Sequence, residues 1–580
     1  MCFEGFGKIT QYTMLALLAS VCFAGSPKLS PELSHLKPGT GTNVIVQYRT
    51  PPTELHRRAI EARGATVKRT LSMIQAHAVR LSSDALKQVA ADPEVVHISA
   101  DHVVKGMLDI TVPAVNATVA RQYGLTGAGI GVALIDSGIA NHPDLIDPVT
   151  GKSRVVYSED FAGPQRGDDY GHGTHVAGIV GGNGSTYRGL APGTRLIDLR
   201  VLDANGAGND SDVIAALERA VQLKRKLNIR VINLSLGRPI YESFTDDPLC
   251  QAVEAAWKAG IVVVTAAGNY GRDNSVGNHG YGTITAPGND PFVITVGAMK
   301  TMGTDTRSDD LIASYSSKGP TSIDHIVKPD LLAPGNVITS LMAPNSTLSQ
   351  TYPDNIVGGS YFQLSGTSMA TPVVSGTIAL MLQKDARLTP DQIKARLMKT
   401  ASKNFPVSSI ATDPVTGQTY TDYYDLFTVG AGYLDAAAAL ANTDVAPGIA
   451  LSPAAVYDTT TGNAYLVNAS SVVWGTSVVW GTSVVWGTSV VWGTSVVWGT
   501  SVVWGTSAVW GNSVVWGTVA PFADSVVWGT SGTDASSVVW GTSAVWGNSV
   551  VWGTSACWGN SVVWGTSVVW GTSVPAYGER

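Results

Sequence analysis

Three short segments of the sequence each present a side chain that can take part in hydrolysis. Asp136 lies in Ala-Leu-Ile-Asp-Ser-Gly-Ile, His172 in Gly-His-Gly-Thr-His-Val-Ala-Gly, and Ser368 in Gly-Thr-Ser-Met-Ala-Thr-Pro. A serine hydroxyl is a poor nucleophile until a neighbouring base takes its proton, and that base needs a carboxylate to fix its tautomer. We therefore predict Ser368 as the nucleophile, His172 as the general base and then acid, and Asp136 as the orienting carboxylate.

None of the three segments is specific by itself. Gly-Thr-Ser recurs throughout the C-terminal repeats, Asp-Ser-Gly after a strand is a common turn, and a histidine beside glycine can simply cap a helix. His172 and His175 could also suggest a metal site, but their segment offers no third histidine, cysteine or carboxylate. The signal is the presence of all three segments in the order Asp, His, Ser.

The elements that must position these residues alternate between strands and helices. We predict buried strands at residues 131–135, 195–199, 231–234 and 261–264, and helices at 213–225, 250–259 and 373–382. Such alternation is typical of an α/β fold with a mostly parallel sheet flanked by helices. Ligands of these sheets bind beyond the carboxyl ends of the strands, where Asp136 and Asn269 are expected to lie.

With these motifs, the chain resembles the subtilisin-like serine peptidases over roughly residues 40–440. The resemblance implies that His172 rather than His175 is catalytic, that Asn269 supplies an oxyanion-hole amide, and that the Ser368 backbone N–H is the second donor. It also implies two strands that sandwich an extended peptide, with simple loop glycines as the alternative for the first. These substrate-binding residues are Gly206, Ala207 and Gly208, and Ser235, Leu236 and Gly237.

Thr285 resembles the floor of the primary specificity pocket. A β-branched residue there narrows the pocket relative to glycine, so we expect very large aromatic side chains to be disfavoured. The segment after His172, residues 179–184, is too short for the calcium loop of many relatives. We predict no cofactor and no metal ligands, while a structural calcium elsewhere stays an open alternative.

The N-terminal region is expected to be removed in two steps. Lys8 precedes a short apolar run, residues 14–21, and small residues follow, which is typical of a secretory signal peptide over 1–24; a buried helix is the alternative. Residues 43–101 predict a ferredoxin-like α+β unit. The resemblance makes residues 25–106 an inhibitory propeptide, cut by the enzyme itself between Asp101 and Val112, ahead of a peptidase domain at 107–446.

The C-terminal region, residues 447–580, is a linker and a tail in which Ser-Val-Val-Trp-Gly-Thr repeats from Ser471. It holds all but one of the 16 tryptophans, and interruptions around Pro521 and Asp534 are expected to break its period. A hexapeptide period predicts a β-solenoid, and glycine in every repeat excludes a membrane-spanning helix. Three roles stay open: an anchor to a cell surface or matrix, a carbohydrate-binding array, and a spacer that contacts itself.

Composition limits the remaining function classes. With 44% hydrophobic and 14% charged residues, a large core can form, and a net charge of −6 gives no reason to expect a nucleic-acid partner. The four cysteines form no disulfide framework or zinc spacing. An adhesive surface protein with an inactive peptidase domain would have a substituted triad, and an esterase would need Gly-x-Ser-x-Gly. We therefore predict a secreted serine endopeptidase, and its retention at the cell surface depends on the role of the tail.

Overall fold

The computed structural model describes residues 28–30, 33, 41–101, 103–106 and 113–467, apart from 164–166, 276, 305, 413–416, 447 and 459–462, and also the repeat strands given below. The chain divides into two compact units, Met1–Asp101 and His102–Arg580. The division falls before the boundary of 106 expected from the sequence, because the strand after Asp101 pairs within the second unit.

The first unit is a four-stranded antiparallel sheet with two helices. Its elements are β1 (Gly41–Tyr48), α1 (Glu54–Glu61), β2 (Thr66–Leu71), β3 (Ala76–Ser82), α2 (Ser83–Ala90) and β4 (Val95–Ala100). The strand order β2-β3-β1-β4 is that of a ferredoxin-like sheet. Apolar residues that alternate along β1 and β3 pack against Ile60, Leu86 and Val89 of the helices. These are the elements and the strand order of the ferredoxin-like α+β unit that was predicted over residues 43–101.

The second unit is built on a central, mostly parallel sheet. The strands of this part of the chain are β5 (Val103–Gly106), β6 (Gly131–Asp136), β7 (Val155–Asp160), β8 (Arg195–Arg200), β9 (Ala207–Asn209), β10 (Ile229–Leu234), β11 (Leu236–Gly237), β12 (Val262–Ala266), β13 (Ile294–Lys300), β14 (Leu311–Ile312) and β15 (Leu331–Pro334). The order in the central sheet is β14-β13-β12-β10-β6-β8-β7, with β15 beside β13, whereas β5, β9 and β11 form a separate small sheet. Only β14 is antiparallel to its neighbour in the central sheet.

Helices cover this sheet and supply two of the predicted site residues. They are α3 (Val119–Gln122), α4 (His172–Gly181), α5 (Asp210–Leu227), α6 (Pro248–Lys258), α7 (Thr347–Thr351), α8 (Thr367–Lys384), α9 (Pro390–Thr400), α10 (Leu426–Val429) and α11 (Ala436–Ala441). Helix α8 is buried on all sides from Thr367 to Leu382, as expected for an apolar helix in the centre of a large domain. In the described part of the chain, no helix has the length and apolarity needed to cross a membrane.

Smaller sheets complete the second unit. They contain β16 (Ile338–Leu341), β17 (Ile356–Val357) and β18 (Tyr361–Leu364), then β19 (Ser408–Thr412) with β20 (Thr419–Tyr423), and β21 (Ala454–Asp458) with β22 (Asn463–Val467). The residues before β21 pack on the body: the Lys394 Nζ donates to Ser452 Oγ at 2.8 Å, and Val327 N donates to Pro453 O at 2.8 Å. The folded body thus continues past residue 446, where the composition predicted a linker.

The described part of the repeat consists of parallel strands. They are β23 (Val479–Trp480), β24 (Val491–Trp498), β25 (Val503–Trp510), β26 (Val515–Val519), β27 (Val527–Thr530), β28 (Gly532–Thr533), β29 (Val539–Trp540), β30 (Val545–Trp546) and β31 (Val551–Trp552). Val491 pairs with Val503, Val515 with Val527, and Val527 with Val539. In the larger repeat sheet, neighbouring strands are therefore related by two hexapeptides. Each interruption replaces one whole hexapeptide, so the expectation of a broken period is wrong for this sheet. It holds only for β28, which lies in the second interruption and pairs with β30 one residue out of phase.

Candidate active site

Two predicted site residues meet at the carboxyl end of the central sheet. Asp136 is the last residue of β6, and His172 is the first residue of α4, after Gly171 with a left-handed φ of 103°. The His172 Nδ1 lies 2.6 Å from Asp136 Oδ1, and both side chains are buried. A hydrogen bond from Nδ1–H to the carboxylate leaves Nε2 as the proton acceptor of a neutral imidazole.

A second buried carboxylate, Asp168, holds the two elements together. Its Oδ1 accepts hydrogen bonds from Ser137 Oγ and from Gly171 N, each at 2.7 Å. Its Oδ2 accepts hydrogen bonds from Thr174 N at 2.8 Å and from Thr174 Oγ1 at 2.7 Å. Burial raises the pKa of Asp168, while these four donors oppose that rise. Asp168 therefore ties the residue after Asp136 to the first turn of the helix that begins at His172.

Ser368 lies in the first turn of α8 and is held at two atoms by Ser235. The Ser368 Oγ donates to Ser235 O at 3.0 Å, and the Ser235 Oγ donates to Ser368 O at 2.6 Å. The second bond is available because Pro372, four residues further on, has no N–H to donate to that carbonyl. Asn233 Nδ2 donates to Ser235 Oγ at 2.9 Å, and Ser375 Oγ donates to Asn233 Oδ1 at 2.8 Å.

Asn269 is oriented by the residue before Ser368. Its Oδ1 accepts hydrogen bonds from Thr367 N at 2.9 Å and from Thr367 Oγ1 at 3.0 Å. The Thr367 Oγ1 in turn accepts from Gly268 N at 3.1 Å. These bonds assign the amide oxygen and leave the Asn269 Nδ2 group as the donor for a ligand. The Ser368 N–H is in the first helical turn, where N–H groups have no intrahelical acceptor.

The substrate-binding segments predicted from the resemblance form two walls with a strand between them. On one side, β5 pairs antiparallel with β9, with Val104 opposite Gly208 and Lys105 opposite Ala207. On the other side, β5 pairs antiparallel with β11, with Lys105 opposite Gly237 and Gly106 opposite Leu236. We call the space between β9 and β11 the peptide cleft. A segment of the chain itself occupies it as an added strand.

Thr285, the predicted pocket floor, lies against the glycines of two other site segments. A Cβ at Gly237 would lie 2.6 Å from Thr285 Oγ1, and a Cβ at Gly268 would lie 2.8 Å from Thr285 Cγ2. The Thr285 hydroxyl donates to Ala267 O at 3.2 Å. The structure therefore brings Thr285 beside the peptide cleft and beside the segment that leads to Asn269. Its side chain fills space that a glycine would leave empty.

His175 has a structural position that does not suit a metal ligand. Its Nε2 lies 3.2 Å from Ile338 O and 3.1 Å from Phe362 O, so this nitrogen carries the hydrogen. Burial, with a smaller contribution from His172, lowers the pKa of His175 to about 3. Within the described ranges, no group of three or more His, Cys, Asp or Glu side chains could hold a metal ion.

The comparisons with known proteins agree with this geometry. The sequence profile of the subtilase family matches residues 127–432, which include Asp136, His172, Asn269 and Ser368. The chain belongs to the subtilase family. It is a serine-type endopeptidase, with the subtilisin-like α/β fold that its motifs predicted.

Two relatives and one solved structure show the extent of the similarity. Serine protease AprX of Bacillus subtilis (strain 168) is 42% identical over 311 residues, which are 52% of this chain and 68% of AprX. Subtilisin E of the same organism is 34% identical over 354 residues, which are 59% of this chain and 80% of that protein. Fervidolysin of Fervidobacterium pennivorans shares the fold at a TM-score of 0.53 and 22% identity, over 76% of this chain and 66% of that chain.

Sequence reasoning missed several residues that shape this site. Asp168 precedes His172 by four residues, but a carboxylate in a loop gives no local signal of the partners that it binds. Pro372 lay just before the helix predicted at 373–382, whereas the helix of the structure begins at Thr367 and includes it. The effect of this proline on the Ser368 carbonyl was therefore not visible in the sequence. The double contact between Ser235 and Ser368 joins residues that are far apart in the chain, so no motif could indicate it.

Proposed function

We propose that this subtilase is made as a secreted precursor and that it cuts its own chain just after β5. The observation that carries this proposal is the position of β5, which pairs with both β9 and β11 as an extended substrate would. Main-chain pairing of this kind gives affinity for polypeptides without requiring a particular sequence. The substrate class is therefore extended polypeptide, and the N-terminal segment is the first substrate.

In the proposed reaction, Ser368 Oγ attacks the carbonyl carbon of the scissile bond while His172 Nε2 takes its proton. The oxyanion accepts hydrogen bonds from Asn269 Nδ2 and from Ser368 N, and Asp136 stabilises the imidazolium. His172 then gives the proton to the leaving amine, so that the C–N bond breaks and an acyl-enzyme remains. A water molecule, deprotonated by His172, releases the acid and restores Ser368.

The pairing register also identifies the bond that we expect to be cut. Lys105 lies opposite Gly237 and Gly106 lies opposite Leu236. Continuing this register by one residue along the sequence would set Met107 opposite Ser235. Ser235 is the residue that contacts Ser368 at two atoms. We therefore assign Met107–Leu108 as the scissile bond. Methionine is an unbranched apolar residue, which suits a pocket narrowed by Thr285.

The test of this function is the fate of the purified precursor. We expect the full-length protein to shorten with time after purification, whereas Ser368→Ala keeps the precursor mass because it has no nucleophile. Ser322→Ala is the control, since Ser322 is an exposed serine outside the site. Intact-mass measurement follows both variants. Maturation of purified Ser368→Ala at the wild-type rate would show that the chain is not processed by its own active site.

The unit at Met1–Asp101 then acts as an intramolecular inhibitor. Its last strand, β4, precedes β5 in the chain, and β5 pairs with both walls of the peptide cleft. Residues 1–24, with a basic residue, a short apolar run and small residues, are the signal for secretion. Before cleavage, β5 excludes other peptides because it occupies both walls.

For the C-terminal repeat we propose a β-solenoid that keeps the enzyme at a surface or matrix. The two-hexapeptide register, in which valine pairs with valine and tryptophan with tryptophan along parallel strands, supports a coil of 12 residues per turn. Binding of polysaccharide and self-association are the alternative roles. Truncation of the chain after Val467, with peptidase activity measured in the cell and medium fractions, distinguishes them.

A further inference from the structure

The guanidinium of Arg238 lies at the point where both walls of the peptide cleft end. Arg238 directly follows Gly237, the last residue of β11, and Asp210 directly follows Asn209, the last residue of β9. The Arg238 Nε donates to Asp210 Oδ2 at 2.9 Å and to Asp210 Oδ1 at 3.2 Å. Both side chains are about 1% exposed. One buried ion pair therefore joins the two walls.

The same arginine is fixed on two further sides. Its Nη2 donates to both carboxylate oxygens of Asp247 at 2.7 and 2.8 Å, and Asp247 caps the N-terminus of α6. Its backbone N donates to Ala286 O at 3.0 Å, and Ala286 N donates to Arg238 O at 2.8 Å. Ala286 follows Thr285, the proposed pocket floor. Arg238 thus connects β11, β9, α6 and the specificity pocket.

The need for such a connection follows from the cleft itself. The walls β9 and β11 are three and two residues long, and β5 is the strand that pairs with both of them. When the cleaved segment leaves, this shared partner is lost. A cleft whose walls keep their spacing without a peptide binds the next peptide at a lower ordering cost. The buried carboxylate–guanidinium pair is rigid and directional enough to maintain that spacing.

We propose that Arg238 and Asp210 are positioning residues that hold the emptied peptide cleft at the width of one extended peptide strand. The proposal rests on the proposed function, because it concerns peptides that enter after β5 has left. It assigns to these residues the binding of the substrate region before the scissile bond, rather than the bond-breaking step. Loss of the Arg238–Asp210 ion pair should therefore weaken the binding of long peptides much more than the binding of short ones.

The matched variants are Asp210→Asn and Asp247→Asn, tested in the matured enzyme with its C-terminal repeat still attached. Each removes one carboxylate charge from the same guanidinium, but only Asp210 belongs to the end of a cleft wall. For peptides with four residues before the scissile bond, we expect Asp210→Asn to raise KM roughly tenfold while kcat changes little. For substrates with a single residue before that bond, KM should stay near the wild-type value. Asp247→Asn should show no such dependence on peptide length.

The outcomes separate this proposal from the proposed function. Equal effects of the two variants on long and short peptides would assign the arginine a general structural role and overturn the proposal. Absence of peptidase activity in the wild-type enzyme would instead contradict the proposed function. If Asp210→Asn does not fold, Asp210→Glu keeps the charge and lengthens the side chain by one methylene. It should raise KM for the long peptides selectively, to a smaller extent.

Discussion

At the scale of single residues, Ser368 is held through its own backbone as well as its hydroxyl. Pro372 frees the Ser368 carbonyl, and Ser235 binds both that carbonyl and the hydroxyl. Beneath Ser235, Asn233 and Ser375 continue the hydrogen-bonded chain without exposure to solvent. A nucleophile supported in this way is pre-organised, so little reordering of its surroundings accompanies the attack.

The side chain of Thr285 should determine how large a residue the specificity pocket accepts. Replacing Thr285 by glycine removes the side chain that packs between Gly237 and Gly268, so the pocket deepens. We expect kcat/KM for peptides cut after phenylalanine to rise roughly tenfold relative to peptides cut after methionine. Kinetics with a matched pair of peptides that differ only at this residue provide the measurement.

Thr285→Ser is the control for that substitution, because it keeps the hydroxyl that donates to Ala267 O. It should leave the preference close to that of the wild type. If Thr285→Gly prefers the same residues as the wild type, Thr285 does not limit the pocket.

Some of the site residues could be predicted from the sequence and others could not. Asp136, His172 and Ser368 were identifiable because each lies in a short segment of particular composition, and their order along the chain was informative. The structure brings Asp136 and His172 into contact, and it places the hydroxyl and the carbonyl of Ser235 in hydrogen-bond contact with Ser368. Asp168, Arg238 and Asp210 were not identifiable, because each is buried and has a partner 28 or more positions away along the chain, and no local pattern reveals either property.

At the scale of secondary-structure elements, β8 carries a buried acid beside the site. Asp198 lies on β8 between Leu134 of β6 and Ser158 of β7. Burial raises the pKa of Asp198 to about 8. The folded state therefore binds a proton that the unfolded chain releases near pH 4. Its contribution to stability is complete below about pH 4 and is lost as the pH rises towards 8.

Asp198→Asn should remove this dependence, because the amide stays neutral at every pH. We expect the stability gained by the variant over the wild type to be larger at pH 9 than at pH 5, by on the order of a few kcal/mol in the free energy of unfolding. The difference between the melting temperatures of variant and wild type should grow in the same direction. Thermal unfolding of Ser368→Ala protein avoids self-digestion during the measurement. The control is Asp147→Asn. Backbone hydrogen bonds from Thr150 and Val149 lower the pKa of the exposed Asp147, so the effect of this variant on stability should be the same at pH 5 and at pH 9. A gain from Asp198→Asn that is equal at both pH values would show that its carboxyl is ionised in the folded protein.

The elements themselves were largely predictable. The strands β6, β8, β10 and β12 are continuous apolar runs because helices cover both faces of the sheet, and such runs are visible in a sequence. The resemblance predicted β9 and β11 as strands on either side of a peptide, but nothing in the sequence predicted that β5 pairs with both of them. They contain glycine and polar residues, and pairing between distant segments stabilises them rather than local propensity.

At the scale of the whole molecule, the repeat can be removed without cutting into the folded body. Truncation after Val467 keeps Ser452, which donates to Asp330 Oδ1 and accepts from Lys394 Nζ. We expect this truncated enzyme to mature and to cleave peptides like the full chain, but to be released into the medium. Peptidase activity in the cell and medium fractions measures the difference, and added soluble polysaccharide tests the carbohydrate alternative.

Truncation after Ala446 is the informative comparison, because it also removes Ser452 and the strand β21. Lys394 and Asp330 are completely buried, and each loses its hydrogen bond to the Ser452 hydroxyl while keeping its other partners, which costs about 1–3 kcal/mol. A lower melting temperature is expected for this form alone. If the form that ends at Val467 stays with the cells in the same proportion as the full chain, the repeat is not the anchor.

The central claim is that Ser368 acts first on the segment that lies in the peptide cleft. The most direct measurement is N-terminal sequencing of the fragments that appear when purified wild-type precursor is incubated, with Ser368→Ala beside it. We predict a new N-terminus at Leu108 in the wild type and no new N-terminus in the variant. A first cut far from β5, or the same cut in purified Ser368→Ala, would contradict the account.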